Sequence, residues 1–139
     1  MNPLALVNEI RKFYTGSVIL CGCLSTGRDI GSAQMIGADY AYMGTRFIST
    51  QESRAQDPYK QMVNDSVAAD IVYTRKISGV FANFMKKSLL AAGFDEKALA
   101  GTKDIDFGSE LQPPEEGEAG AWRDIWSAGQ GVGSIDSTP

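Results

Sequence analysis

Two glycine turns hold the residue types from which an anion site is built. The first is Val18-Ile-Leu-Cys-Gly-Cys-Leu-Ser-Thr-Gly-Arg-Asp29, the second Ala38-Asp-Tyr-Ala-Tyr-Met-Gly-Thr-Arg-Phe47. In each, an apolar run ends in glycine, and a hydroxyl residue follows. Backbone N–H groups and a short side chain then face whatever binds there, and phosphate suits such a turn. One helix and one strand separate the turns, which puts both on the edge of a parallel sheet where α/β folds bind ligands. A glycine at a strand end is usually a plain turn, so Gly22 or Gly44 alone says little, whereas the pair points to a site.

Other candidates are weaker. Ser127-Ala-Gly-Gln-Gly-Val-Gly133 is a third glycine-rich turn, equally readable as a linker. Arg46 could face a phosphate or pair with Asp39 or Glu52. Cys21 and Cys23 flank Gly22, and strand geometry would aim both at one face. A metal needs about four ligands and the chain has no histidine, so small residues packed at a strand end are expected and no metal site is.

The elements that position the turns follow from periodicity. Leu4, Leu6, Val7, Ile10, Phe13 and Tyr14 predict an amphipathic helix over residues 3–14. Val18 to Cys21 reads as a short buried strand. Thr26 with Asp29 resembles a capping box opening a helix over 27–36, with Gly37 past its end. Tyr40 to Met43 predicts a second strand, and this α/β order implies a right-handed parallel crossover. Beyond Phe47 the pattern predicts a long helix over 52–69, an extended piece over 71–74 and a helix over 80–92 closed by Gly93. Residues 103–120, acidic around Pro113-Pro114, read as a solvated loop, and 121–126 as a short helix carrying Trp122 and Trp126 at core spacing.

Composition excludes several classes. With 43% hydrophobic and 22% charged residues the chain can build a core, and no apolar run approaches a membrane span. The N-terminus lacks the layout of an export signal. A net charge of -4 offers no basic patch for nucleic acid, and the two cysteines suit a reducing, cytoplasmic setting.

A phosphate held between the ends of two successive parallel strands is the recurrent site of the (β/α)8 barrel, formed by the loops after its last two strands. Such a barrel takes about 250 residues. The 139 residues here, with two βα units, therefore read as an incomplete barrel whose sheet needs further strands to bury both faces.

The strings Ser25-Thr-Gly-Arg-Asp-Ile30 and Ile36-Gly-Ala-Asp-Tyr-Ala-Tyr-Met-Gly-Thr-Arg-Phe-Ile-Ser-Thr-Gln-Glu-Ser53 closely resemble the C-terminal half of the nitronate monooxygenases, once called 2-nitropropane dioxygenases. Tyr59-Lys-Gln-Met62, Asp70-Ile-Val-Tyr-Thr74, Ser78-Gly-Val-Phe-Ala-Asn-Phe84 and Trp122-Arg-Asp-Ile-Trp-Ser-Ala-Gly-Gln-Gly-Val-Gly133 extend the likeness over nearly the whole chain. Some pieces recur in flavin-dependent enoyl-acyl-carrier-protein reductases.

The resemblance implies the C-terminal part of an FMN-binding (β/α)8 TIM barrel that oxidises alkyl nitronates with O2 to carbonyl compounds and nitrite. Residues 1–50 would hold the last two strands and helices with the phosphate turns, and 51–102 a helical extension. Residues 103–120 would form the acidic loop, and 121–139 a helix and turn returning to the flavin. Carried over, Gly22, Cys23, Gly44 and Thr45 would contact the FMN phosphate, with Ser25 beside them, while Ser127 and Gln130 would approach the flavin end. The partners implied are a small nitronate and O2. Two departures stand out: the family usually reads Gly-Gly-Ile where this chain has Gly22-Cys23-Leu24, and its active-site histidine lies upstream of the matched region. No catalytic residue is therefore assigned, and inactivity of the chain alone is expected. The alternatives are an FMN-dependent enoyl reductase-like protein and a non-enzymatic assembly module.

Overall fold

The computed structural model describes residues 2–94 and 123–139, in α/β order. Helix α1 (Pro3–Arg11) begins where Asn2 Oδ1 accepts the Leu4 N–H at 2.9 Å, with Pro3 in the first turn, where no N–H is needed. It stops three residues short of the predicted end. Beyond it the Arg11 guanidinium donates to the carbonyls of Gly16 at 2.7 Å and Tyr14 at 3.4 Å, so a side chain satisfies groups that a further turn would otherwise involve.

Strand β1 (Ile19–Cys21) runs parallel to β2 (Tyr40–Tyr42), with Ile19 opposite Tyr40, Leu20 opposite Ala41 and Cys21 opposite Tyr42. Helix α2 (Gly27–Met35) makes the crossover. Its capping box is the predicted one: Thr26 Oγ1 accepts the Asp29 N–H at 3.3 Å, and Asp29 Oδ2 accepts the Thr26 N–H at 2.8 Å. Gly37, at φ +101°, ends it in the left-handed conformation that glycine supplies without steric cost.

Among the described residues, helices cover only one face of the strand pair. Val7, Val18, Leu20, Ala33 and Ala38 are buried together there, joined by Ile10, Leu24, Ile36 and Ala41. On the other face Ile19, Cys21, Tyr40 and Tyr42 are exposed. The apolar run predicted a strand buried throughout, but burial alternates because no described residue covers the second face.

The predicted helix over 52–69 is present only in its middle, shortened at both ends. A four-residue helix α3 (Thr45–Ile48) is followed by α4 (Asp57–Asn64), which has Pro58 in its first turn. Proline lacks an N–H and restricts the residue before it, so it starts this helix rather than lying inside one.

The chain divides into two compact units, one of residues up to Asp65 with Gly131–Pro139, the other Ser66–Gln130. In the first, a 3-10 turn (Gln130–Ser134, its first residue assigned to the other unit) leads into the C-terminal tail. In the second, β3 (Ile71–Thr74) pairs antiparallel with β4 (Ala82–Met85), followed by α5 (Lys86–Ala91). The helix predicted from 80 is thus a strand first. Alternate backbone partners on β3 and fully buried Phe84 beside Ile77, Leu89 and Ile125 override a local pattern that fits either period. Gly93 closes α5 at φ +84° as predicted. The acidic stretch 103–120 and Trp122 lie outside the described residues. Of the helix predicted over 121–126, Arg123 and Asp124 form a turn and Ile125 a buried bridge, held where the Met85 N–H donates to the Trp126 carbonyl at 2.8 Å.

Candidate functional site

The register of β1 and β2 decides where the two glycine turns go. Cys21 and Tyr42 are partners at the ends of parallel strands, so Gly22 and Gly44 leave the same edge of the pair. Gly22 adopts φ +88° and Cys23 follows at φ +61°, two consecutive left-handed residues that bend the chain away from the strand. A left-handed position costs a non-glycine residue about 1–2 kcal/mol, so Cys23 is strained where Gly22 is not.

A Cβ added at Gly22 would have no heavy atom within 4 Å, nor would one at Gly44. Gly44 also has an ordinary φ of -113°, so neither dihedral nor neighbours require glycine there. What both positions share is open space before the backbone, the condition for close approach of a ligand. Thr45 is half-buried as the first residue of α3.

Ser25 plays a different part. It is buried; its N–H donates to Asp29 Oδ2 at 2.9 Å and its Oγ donates to the Gly131 carbonyl at 2.9 Å. Both its donors are therefore engaged in holding the turn. Gly131 lies against the same turn: a Cβ there would be 2.6 Å from the Cys23 carbonyl oxygen and 2.8 Å from Ser25 Oγ. Only a residue without a side chain permits this approach, and sequence reasoning offered it as just one glycine among several.

Asp29 braces the turn from the other side. The Ser25 N–H, then the Thr26 N–H and hydroxyl and the charge of Arg28, hold its carboxyl below the usual carboxylate value against partial desolvation. Arg11 and Asp39 form a second brace. The guanidinium donates to Asp39 Oδ2 at 2.6 Å and to the Gly37 carbonyl at 2.7 Å, and Asp39 Oδ2 also accepts the Val18 N–H at 2.7 Å. That carboxyl is lowered too, chiefly by the Val18 N–H and then by Arg11.

The partners expected for Arg46 change accordingly. Asp39 pairs with Arg11, and Arg46 donates to the Ser137 carbonyl at 3.3 Å. The tail also receives Ser49 Oγ at the Ser137 carbonyl and the Gln51 N–H at the Pro139 carbonyl, so it laces α3 in place. The cysteines also depart from expectation: Cys21 and Cys23 are exposed free thiols rather than packed residues, because Cys21 lies on the uncovered face and Cys23 beyond the strand. Gly22, Cys23, Ser25, Gly44 and Thr45 thus share one unit. Ser127, half-buried, and Gln130, exposed, belong to the other. Among the described residues no group of three or more acidic, cysteine or histidine side chains is placed to hold a metal.

This arrangement has known counterparts. The nitronate monooxygenase family matches residues 2–136. The chain is similar to a nitronate monooxygenase of Paraburkholderia phytofirmans, 29% identical over 70% of this chain and 27% of that one. It is 34% identical to a probable nitronate monooxygenase of Staphylococcus haemolyticus over 57% of this chain and 22% of the relative. It therefore spans about a quarter of the length of these curated relatives. Among solved structures, FabK from Thermotoga maritima is similar in fold with a TM-score of 0.69 and 23% identity, over 99% of this chain and 44% of that one. Nitroalkane oxidase from Streptomyces ansochromogenes superposes with a TM-score of 0.56 and 30% identity over 61% of this chain and 24% of that one. With its sequence matched nearly end to end and its two glycine turns on one sheet edge, the chain belongs to the nitronate monooxygenase family of FMN-dependent oxidoreductases.

Proposed function

We propose that this chain supplies the phosphate end of an FMN site in a (β/α)8 barrel, and that the whole protein oxidises alkyl nitronates with O2 to carbonyl compounds and nitrite. The observation carrying this reading is the open space before Gly22 and Gly44 at adjacent parallel strand ends. Backbone N–H groups of Gly22, Cys23, Gly44 and Thr45 would receive the phosphate, with Ser25 and Gly131 holding the first turn in shape. Ser127 and Gln130 are proposed contacts nearer the ring. Bound FMN supplies the redox chemistry, taking electrons from an electron-rich nitronate and passing them to O2. The residues here fix its tail, which limits the positions open to its reactive ring.

The chain contains no histidine to assist at the flavin, and on this reading it turns over no nitronate by itself. The barrel, the sheet edge as a nucleotide-phosphate site and a cytoplasmic, reducing setting for the free thiols belong to the same proposal. Among the described residues no helix is long and apolar enough to cross a membrane. Enoyl reduction is supported by fold likeness alone, and an assembly module by the exposed strand face alone; family membership favours nitronate oxidation.

The test is an FMN titration of the purified chain by fluorescence, with riboflavin as the phosphate-free comparison and Gly44→Asp as the blocked turn. Saturable FMN binding that riboflavin does not match and Gly44→Asp abolishes is expected. Equal binding of both flavins would count against a phosphate site at these turns.

A further inference from the structure

We propose that Ser49 is a positioning residue for the second glycine turn, setting it from the C-terminal tail through the Ser137 carbonyl. The inference rests on the phosphate reading of that turn. Ser49 is the C-cap of α3, the helix that follows Gly44, and it is fully buried. It therefore reaches no ligand, and what it does for the turn it does through the backbone. Its Oγ donates to the Ser137 carbonyl at 3.3 Å, and the half-buried Arg46 of the same helix donates to that carbonyl, also at 3.3 Å. Two side chains of one short segment thus converge on a single acceptor. A four-residue helix has little stability of its own, so outside contacts decide where it lies.

The acceptor is a fixed point. Val132 and Ile135 are buried and anchor the tail ahead of Ser137. Behind it, the Asn64 side chain on α4 donates to Thr138 Oγ1 at 2.9 Å, and Lys60 Nζ on the same helix donates to the Thr50 carbonyl at 2.8 Å. A closed ring of side-chain bonds results, from α3 to the tail, from the tail to α4, and from α4 back to the residue after Ser49. At its other end the tail begins at Gly131, whose carbonyl accepts from Ser25 of the first turn at 2.9 Å. One segment, Gly131–Pro139, is thus bonded to the supports of both turns. Within the second turn the space before Gly44 is open, so its position is set from behind, by α3. A phosphate shared by two loops needs their N–H groups at one separation, and a site held loosely by its supporting shell binds poorly.

The test uses the full chain with Ser49→Ala and, because Ser49 is buried, Arg46→Met as a second variant at a more accessible position. The first readout needs no ligand. The Phe47 N–H donates to the Gly44 carbonyl at 3.0 Å and closes the turn onto α3, whereas the Ile36 N–H donates to the Ser32 carbonyl at 3.1 Å at the end of α2. Hydrogen exchange at Phe47 should quicken about two- to tenfold in each variant, the equivalent of one hydrogen bond, with Ile36 unchanged. Direct contact of Arg46 with phosphate would leave this ligand-free exchange as in the parent. The second readout is flavin affinity: FMN should weaken by a similar factor, while riboflavin, which has no phosphate, should bind as it does to the parent. Unchanged exchange at Phe47, an equal rise at Ile36, or equal weakening of both flavins would overturn the inference, the last two being the marks of general destabilisation. A parent that binds FMN no better than riboflavin would instead overturn the phosphate reading, and exchange at Phe47 would still decide by itself whether Ser49 sets the turn.

Discussion

Ser25 Oγ donates to the Gly131 carbonyl at 2.9 Å across 106 residues of sequence, tying the first glycine turn to the C-terminal part of its own unit. A Cβ at Gly131 would reach 2.6 Å from the Cys23 carbonyl oxygen, and backbone yields less readily than a side chain end. Gly131→Ala should therefore destabilise by about 1–3 kcal/mol, the range for forcing a methyl into packed structure. Ser25→Ala removes one hydrogen bond and should lose about 1 kcal/mol. Urea midpoints order the two, and a neutral Gly131→Ala would mean the approach is looser than it looks.

Gly22 and Gly44 separate backbone need from ligand need. Gly22→Ala places a Cβ in a left-handed residue and should lose about 1–2 kcal/mol of stability whether or not ligand is present. Gly44→Ala meets no neighbour and no unusual dihedral, so its stability should stay within about 0.5 kcal/mol of the parent. FMN affinity should nonetheless fall in Gly44→Ala. A Gly44→Ala chain that is stable and binds FMN as the parent does would remove Gly44 from the site.

Cys23→Gly relieves a strained position but makes the unfolded chain more flexible, two effects of similar size and opposite sign. Its midpoint should match or exceed that of the parent, in contrast to Gly22→Ala. A clear loss in differential scanning calorimetry would show that the Cys23 side chain contributes contacts that outweigh the dihedral cost.

The first unit was legible because its signals are local. Thr26 and Asp29 cap each other within four residues, and Gly37 ends α2 where a left-handed residue is needed. The failures arose where distant or overlooked constraints prevail. Pro58 marked the true start of α4 in plain sight, while the spacing of Tyr59, Met62 and Val63 continues through Ser66 and Val67, past the end of the helix at Asn64. Residues 82–85 have a spacing that suits helix or strand, and pairing with Ile71–Thr74 decides the matter. At the site, strand order located Gly22 and Gly44, while the role of Gly131 depends on a contact that no spacing encodes. Exposure of Cys21 likewise follows from which face the helices cover.

Acid should loosen the first turn. Asp29 is held below the ordinary carboxylate value of 3.8 mainly by the Ser25 and Thr26 N–H groups, and Asp39 by the Val18 N–H and Arg11. A carboxyl lowered on folding binds fewer protons folded than unfolded. Its contribution is present above the unfolded value and is lost as pH falls through the folded one. Stability should thus be level above 3.8 with respect to these groups and decline below it. Asp29→Asn should lower stability near neutrality and flatten this acid limb, as followed by urea midpoints at stepped pH. An unchanged limb would show that the Asp29 hydrogen bonds do not outlast the exchange with water.

Arg11 joins three segments with one side chain: the end of α1 through the Gly16 carbonyl, the end of α2 through the Gly37 carbonyl, and the start of β2 through Asp39. Lysine could meet the charge of Asp39 as a point donor but not all three acceptors, because only the guanidinium fork presents several N–H groups at fixed angles. Arg11→Lys should therefore fall nearer to Arg11→Ala than to the parent. For Arg11→Ala the loss should be about 1–3 kcal/mol, mostly from the charged hydrogen bond to the half-buried Gly37 carbonyl, with less from the exposed Gly16 carbonyl. The hydrogen bonds to carbonyls do not depend on Asp39, so Asp39→Asn should cost less than Arg11→Ala, since its amide oxygen can still accept the Val18 N–H. A double-mutant cycle on Arg11 and Asp39 measures the share belonging to the ion pair. High salt should shrink that share and leave the rest of the Arg11→Ala loss in place. If salt removed the whole loss, the carbonyl bonds would carry nothing, and the brace would reduce to a surface ion pair.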